Sequence, residues 1–323
     1  MLAQSRLGKT ALRPLVQSRN LFFLPTLASA ATGFFLRDSI RLANSLEDNV
    51  NQRKSSNDVI LEESEIKPYF SRPAKKYPNH IPLYPYEKVA MFVTSAIGAF
   101  LHPEKNQYIV ALGESTAIPP FLKRLRKQML DDETGRQILK DRPNITSTSL
   151  DLDKLAALPE NTFGRTYYEW LKREGCSPDT RVPVRFIDDE ELAFVFQRYR
   201  QCHDFYHALA GLPISREGEI AVKFFEFLTL GIPFAGMGAV FAPLNIRKSQ
   251  RDRLLTIYYP WAISSAANCK KHLINVYWEN IMEKDVNELR DELGITLPPD
   301  MRELRRIARE KRRALQANPS PTP

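Results

Sequence analysis

Apolar residues recur at helical spacing along most of the chain beyond residue 85, as expected for helices that bury one face. The first of these segments is Tyr86–Leu101, which Pro103 follows. Further segments with this spacing are residues 107–114, 119–130, 133–141, 151–157, 162–174, 216–230, 248–268 and 274–293. Only Val182–Ile187 has the composition of a short strand. The pattern therefore predicts an all-α fold with a single multi-helix domain.

The longest predicted helix runs from about Asp188 to Ala210. Asp188 or Asp189 can cap its first turn, because a carboxylate accepts the free backbone N–H groups there. Gly211 and Pro213 follow its last residue, as is typical of a helix end.

One apolar segment, Phe227–Ile246, has 20 residues without a charge and is long enough to span a membrane. Glycines and prolines such as Gly231, Pro233 and Pro243 interrupt it. These breaks favour a kinked, buried pair of helices over a transmembrane span. A wall around a hydrophobic ligand is the third interpretation.

The excess of positive charge lies at the two ends of the chain. The formal net charge is +8, with 46 Lys and Arg against 38 Asp and Glu. Residues 1–37 carry five bases and no acid, and residues 302–313 carry seven bases and two acids, which leaves −2 on residues 38–301. This distribution argues against a nucleic-acid-binding surface. The 3 cysteines form no CxxC pair, which argues against a disulfide scaffold and against a cysteine-rich zinc module.

The basic ends have different interpretations. Residues 1–30 are rich in Arg, Ser, Leu and Ala and have no acid, which predicts a mitochondrial transit peptide. Residues 31–80 are interpreted as a polar helix and linker. Residues 298–317 form a predicted basic helix that could lie on an anionic membrane or an acidic partner, or remain solvated. Residues 318–323 are a predicted disordered tail.

The candidate chemistry lies on the longest helix. His203 and His207 stand four residues apart and differ by 40° around the axis, and Asp204 lies 60° beyond His207. A histidine pair at this spacing is a standard chelating arrangement for a divalent metal. Phe196 and Tyr199 share the face, so the histidines should point inward.

A carboxylate from the following helix should complete this site, because the turn at residues 211–218 lets that helix fold back. Spacing alone does not choose among Glu217, Glu219 and Glu226. A lone buried histidine is more often a hydrogen-bonded core residue than a ligand, but a pair with adjacent acids favours a metal. Two histidines with two carboxylates suit Zn²⁺ best, and Fe or Mn is also compatible. Residues 81–297 are accordingly interpreted as a helical metal-binding domain.

The histidines belong to a longer motif, HDxxH-x11-E, that ends at Glu219. With other short stretches, it resembles the mitochondrial ubiquinone (coenzyme Q) biosynthesis protein four family, in its fungal form. The resemblance covers about residues 80–315, and the accompanying stretches are Leu112–Ala117, Pro143–Thr146, Asn161–Gly164 and Leu273–Glu279. It implies a zinc site formed by His203, Asp204, His207 and Glu219.

The resemblance also implies an activity and a location. The expected enzyme is a metal-dependent carboxy-lyase, a 4-hydroxy-3-methoxy-5-polyprenylbenzoate decarboxylase. It removes the carboxyl group at ring carbon 1 of a polyprenylated methoxy-hydroxybenzoate, with hydroxylation at that carbon. The expected partners are other coenzyme Q biosynthesis subunits, in a multi-subunit complex on the matrix side of the mitochondrial inner membrane, with peripheral attachment to the membrane surface. No nucleic acid is expected as a partner.

Two alternatives to this enzyme stay open from the sequence. The first is a non-catalytic scaffold that organises the complex, with a structural metal joining two helices. The second is a phosphate-ester hydrolase of the HD type, which the scarcity of further histidines disfavours. The lipid tail of the substrate would lie along Phe224, Phe227 and Leu228, unless these residues are ordinary core.

Overall fold

The computed structural model describes residues 72–299 and positions 306, 307, 309, 310 and 313. The predicted transit peptide, most of the polar linker and the C-terminal tail lie outside the described residues. Most of the predicted basic helix does too, and the five positions described there are helical. Residues 72–83 and 90–299 belong to the compact unit that carries the site.

The described residues form helices joined by turns and by irregular segments. They are α1 Pro85–Leu101, α2 Asn106–Thr116, α3 Pro119–Leu130, α4 Glu133–Asp141, α5 Ser147–Leu150, α6 Leu152–Ala157, α7 Phe163–Glu174, α8 Glu190–Ala210, α9 Arg216–Leu230, α10 Pro233–Phe241, α11 Lys248–Arg253, α12 Tyr259–Asn268 and α13 Val286–Leu293. A π-helical turn, Leu254–Tyr258, joins α11 to α12. Among these residues the only β pairing is an isolated bridge between Thr162 and Asp285. The all-α prediction is therefore confirmed.

Helix α8 is the centre of the fold. Every residue from Arg198 to Ala210 is buried, because α3, α7 and α9 surround this part of the helix. The Asp189 carboxylate caps its first turn by accepting from the backbone N–H of Leu192, 2.9 Å away. Gly211 ends it in the left-handed region, with φ of 66°. Both predicted ends of this helix are confirmed.

The strand-like composition of Val182–Ile187 corresponds to no strand in the described part of the chain. The backbone N–H groups of Arg185 and Phe186 instead donate to the buried carboxylate of Glu114, at 2.8 and 2.9 Å. This side chain satisfies two backbone N–H groups that a neighbouring strand would otherwise bind, and the Arg185 carbonyl oxygen accepts from the backbone N–H of Ile81 at 2.8 Å.

The prediction of one helix over residues 274–293 is wrong for its first half. Leu273–Asn275 and Trp278–Asn280 are 3₁₀ turns, and the α-helix is restricted to Val286–Leu293. Apolar residues of this segment are buried against α3 and α4. The helical spacing of these apolar residues therefore reflects their packing against α3 and α4. The Asp285 carboxylate then caps the start of the helix Val286–Leu293.

The apolar segment Phe227–Ile246 is broken at Gly231, which has φ of 71° and ends α9. Pro233 then begins α10, so the predicted helix pair is confirmed. Its outer face is exposed at Phe227, Leu228 and Val240, so the expectation of full burial is wrong there. Across the described ranges, no helix combines the length and the apolar character that crossing a bilayer requires.

Candidate metal centre

Three side chains from α8 and α9 aim ligand atoms at one point. His203 Nε2 lies 3.2 Å from Glu219 Oε2, and His207 Nε2 lies 3.5 Å from Glu219 Oε1. One ligand atom from each of the three residues falls within 4.8 Å of the others. The spacing of the sequence left three carboxylates open, and the fold brings Glu219 to the histidine pair. Glu217 instead forms an ion pair with Arg253.

The turn before α9 explains why Glu219 reaches the histidines. The Ser215 hydroxyl accepts from the backbone N–H of Gly218 at 3.2 Å and so caps the helix. A side chain at position 218 would collide with the carbonyl oxygen of Pro213, so glycine is required for this close approach. The tight turn places the first turn of α9 beside the last two turns of α8.

The hydrogen bonding of His207 fits a metal ligand. Its Nδ1 lies 3.2 Å from the backbone carbonyl oxygen of Leu212. A carbonyl only accepts, so Nδ1 carries a proton and Nε2 is the nitrogen that can present a lone pair to a metal. That nitrogen is buried and has no hydrogen-bond partner among the described residues. A lone pair facing a carboxylate oxygen is unfavourable without a cation between them.

The electrostatics of Glu219 favour its charged form. Burial alone would raise the pKa of this carboxyl, but the adjacent His207 and His203 rings hold the pKa well below its usual range. Its side chain is 38% exposed, against 5% for His203 and none for His207. The centre is therefore closed on the α8 side and open to solvent beside Glu219.

Asp204, the fourth ligand implied by the resemblance, lies outside this convergent group. Its carboxylate oxygen Oδ1 accepts from the Arg181 guanidinium, and its side chain is 7% exposed. Asp204 as a ligand stays a prediction. Arg181 was not found from the sequence, because it lies in the irregular segment between α7 and α8, where no periodicity marks a contact.

Two further side chains lie beside the centre in positions that sequence reasoning did not identify. Glu226, proposed as one alternative ligand, lies behind His203 with Oε1 at 2.6 Å from Nδ1. Lys223 Nζ lies 3.0 Å from Glu226 Oε2. The signal was present in the spacing, since residues 219, 223 and 226 share one face of α9.

The three residues proposed for the lipid tail lie on α9 beyond the centre. Phe224 is half-buried and its ring packs against Tyr259, with ring centroids 4.3 Å apart. Phe227 and Leu228 are exposed. Their role in holding a tail stays a prediction.

A cavity of about 300 Å³ lies against a different side of α8. Its lining includes Gln201, Asn144 and Arg181 but none of the three convergent side chains. Gln201 projects about 200° around the helix from His203. The cavity is therefore separate from the candidate metal centre.

Comparison with known proteins identifies what this chain is similar to. Residues 77–299 match the family described as "Coenzyme Q (ubiquinone) biosynthesis protein Coq4". Three relatives share the name "Ubiquinone biosynthesis protein COQ4, mitochondrial". The protein from Debaryomyces hansenii is 56% identical over 295 residues, covering 90% of this chain and 91% of its own. The one from Komagataella phaffii is 56% identical over 292 residues, covering 90% and 95%. That from Scheffersomyces stipitis is 53% identical over 308 residues, covering 95% and 96%.

Proposed function

The chain belongs to the coenzyme Q (ubiquinone) biosynthesis protein Coq4 family, and from this premise we propose that it is a metal-dependent carboxy-lyase. It acts in ubiquinone biosynthesis. It removes the carboxyl group at ring carbon 1 of a polyprenylated methoxy-hydroxybenzoate, and that carbon becomes hydroxylated. Membership of the family places the chain in ubiquinone biosynthesis, and the decarboxylation with hydroxylation is our proposal for its reaction.

One observation supports an enzyme over a scaffold. Three protein side chains converge, and the carboxylate among them is open to solvent. Catalytic zinc sites use three protein ligands and leave a position for water or substrate, whereas structural sites use four. Asp204, which would close the site, is engaged with Arg181.

The residues of the chain divide the work of this reaction. His203, His207 and Glu219 would hold a divalent metal, Zn²⁺ by the nature of the ligands, with Fe or Mn as alternatives. The bound metal supplies a Lewis acid that stabilises negative charge developing as carbon dioxide leaves. The buried α8 side excludes water from the histidines, and the opening beside Glu219 admits the aromatic head.

The oxygen added at ring carbon 1 needs an oxidant, for which we propose dioxygen. A 4-hydroxybenzoate and one dioxygen balance to carbon dioxide, water and a quinone, which is the two-electron-oxidised form of the ring hydroxylated at carbon 1, so no separate reductant is required. Zinc has no redox chemistry of its own. With zinc in the site, the electron-rich ring has to reduce dioxygen itself.

A substrate with a polyprenyl tail resides in a membrane. We propose that the protein attaches peripherally to the matrix side of the mitochondrial inner membrane and that other coenzyme Q biosynthesis subunits are its partners. Exposed apolar side chains support this attachment. Ile97 and Leu101 lie on α1, and Leu244 follows α10. The Asn245 amide donates to the Phe100 carbonyl oxygen at 2.8 Å, so Leu244 lies close to the exposed apolar side chains of α1.

Positive charge lies beside these apolar side chains. Arg247 and Lys248, which follow Leu244 in the sequence, are exposed cations that suit an anionic lipid surface.

The test combines metal content with product release. Purified protein receives a prenylated methoxy-hydroxybenzoate labelled in its carboxyl group, with dioxygen, and labelled carbon dioxide is counted. We expect His203→Ala and Glu219→Gln to lose both the metal and the release of carbon dioxide. His272→Ala, at an exposed histidine outside the centre, should keep both. Metal-loaded wild-type protein that releases no carbon dioxide would support the scaffold, and unchanged turnover by His203→Ala would refute the metal-dependent reaction.

A further inference from the structure

Glu226 lies on the same face of α9 as Glu219, seven residues further along, but it turns away from the convergent point. It is fully buried. Its two oxygens have different partners. Oε1 lies 2.6 Å from His203 Nδ1. Oε2 accepts from the Tyr199 hydroxyl at 2.8 Å and from Lys223 Nζ at 3.0 Å.

These partners determine where the proton of His203 sits. An ammonium group only donates, and here a hydroxyl donates to the same oxygen, so Oε2 carries no proton. Two acceptors do not approach to 2.6 Å, so one proton lies in the short contact between Oε1 and Nδ1, and it belongs to Nδ1 because imidazole is a stronger base than carboxylate. When the ring is neutral, its lone pair is then at Nε2, the atom that faces Glu219.

A competing arrangement would reverse the ring. Lys223 Nζ lies 3.1 Å from the same Nδ1 and could donate to it, which would place the proton on Nε2. That arrangement leaves an unprotonated nitrogen 2.6 Å from a carboxylate oxygen, the shorter of the two contacts. The Lys223 ammonium already has Glu226 as an acceptor and lies over the Phe234 ring, 5.5 Å from its centroid. The geometry therefore favours donation by His203.

We propose that Glu226 is a positioning residue that keeps His203 in the metal-binding tautomer, and that Lys223 and Tyr199 hold its carboxylate in place for this purpose. The proposal rests on the proposed metal centre. His207 obtains the same orientation from the Leu212 carbonyl oxygen, which no side-chain substitution can remove. Only the orientation of His203 depends on a replaceable side chain. Such partners of metal-ligating histidines typically change metal affinity by about 10- to 100-fold.

The informative variant is Glu226→Gln, which keeps the size of the side chain. Tyr199 and Lys223 both donate toward Oε2, so the amide should turn its oxygen to them and its NH₂ group to His203 Nδ1. Nδ1 then has to accept, and the proton moves to Nε2. We expect Zn²⁺ affinity, measured by competition with a chelator, to fall roughly 10- to 100-fold. Nitrogen NMR of the metal-free protein, at a pH where the ring is neutral, should show the reversed tautomer.

A double variant separates positioning from packing. In Glu226→Gln with Lys223→Met, the amide is free to turn its oxygen back to His203, since Tyr199 can accept as well as donate. We expect the double variant to bind Zn²⁺ more tightly than Glu226→Gln alone. A residue that only fills space would show no such rescue. Glu226→Asp, which keeps the charge but shortens the reach, should weaken Zn²⁺ binding and serves if Glu226→Gln fails to fold.

The outcomes are distinct from those that test the proposed function. Wild-type protein that binds no metal would refute the metal centre, and the tautomer measured in metal-free protein would still test Glu226. If wild-type protein binds Zn²⁺ and folded Glu226→Gln binds it equally well with the same His203 tautomer, the inference about Glu226 is overturned.

Discussion

Helix α8 carries two buried clusters of polar and charged groups, and they differ in how donors match acceptors. In the first, Arg198 Nη2 donates to Glu279 Oε2 at 2.9 Å and to the Val276 carbonyl oxygen at 3.1 Å. In the second, His207 Nε2 lies 3.5 Å from Glu219 Oε1 and has no hydrogen-bond partner among the described residues. Buried charge by itself is therefore no sign of function in this protein. Lone pairs aimed at one point without a donor are such a sign, since a cation would satisfy them.

The Arg198 pair should matter for stability alone. We expect Arg198→Met to lower the free energy of unfolding by about 3 kcal/mol, because it leaves the mostly buried Glu279 carboxylate without its partner. Urea denaturation measures the loss. Replacing both partners, Arg198→Met with Glu279→Gln, should restore part of it, and the folded fraction of each variant should bind Zn²⁺ as wild type does. Lost metal binding in folded Arg198→Met would show that the two clusters are not independent.

The candidate metal centre should differ from the Arg198 pair, because its contribution to the free energy of unfolding should depend on bound Zn²⁺. At a free Zn²⁺ concentration about 100 times its dissociation constant, wild-type protein should gain about 2.7 kcal/mol in the free energy of unfolding. His207→Ala should gain nothing, because the ligand with the unpartnered nitrogen is gone. His272→Ala is the control and should gain as much as wild type. Each variant is compared with and without Zn²⁺, so the cavity left by the substitution cancels.

The pH dependence of the metal-free protein offers a further contrast. Burial alone raises the pKa of Glu226, but the charges of Lys223 and His203 hold the pKa at about 2, against 4.5 for an exposed glutamate. A carboxyl with a lowered folded pKa stabilises the fold above its unfolded pKa. That contribution should disappear as the pH falls from 4.5 toward 2. Chelator-treated Glu226→Gln should lose less stability across this window than wild type, and equal losses would contradict the assignment.

The sequence predicted α8 and its histidines because both depend on local rules. Asp189 and Gly211 mark its ends, and the spacing of His203 and His207 follows from helix geometry alone. Choosing the carboxylate needed either the resemblance or the fold, since Glu217 and Glu219 both lie on the first turn of α9.

The parts that sequence reasoning missed depend on contacts between distant segments. Arg181 reaches Asp204 from an irregular stretch, and its position follows from the packing of α7 and α8 on either side. Residues 273–280 have helical spacing, but the buried Asn275 amide donates to the Gln128 carbonyl oxygen at 3.1 Å and holds a turn there. Local periodicity contains no information about such partners.

Asp204 could belong to a structural ion pair or to the metal centre, and substituting it distinguishes the two roles. The structure pairs it with Arg181, as it pairs Arg198 with Glu279, whereas the family resemblance makes it a ligand. We expect Asp204→Asn to lower Zn²⁺ affinity by roughly tenfold, the lower end of the range for groups that act beside the ligands. Arg181→Met is the matched control, because it removes the same ion pair but leaves the carboxylate free to turn. If Asp204 acts only through that pair, both variants should weaken binding alike. If Asp204→Asn instead binds Zn²⁺ as weakly as His207→Ala, while Arg181→Met binds it as tightly as wild type or more tightly, Asp204 is the fourth ligand. A fourth protein ligand would occupy the coordination position that the proposed reaction needs open.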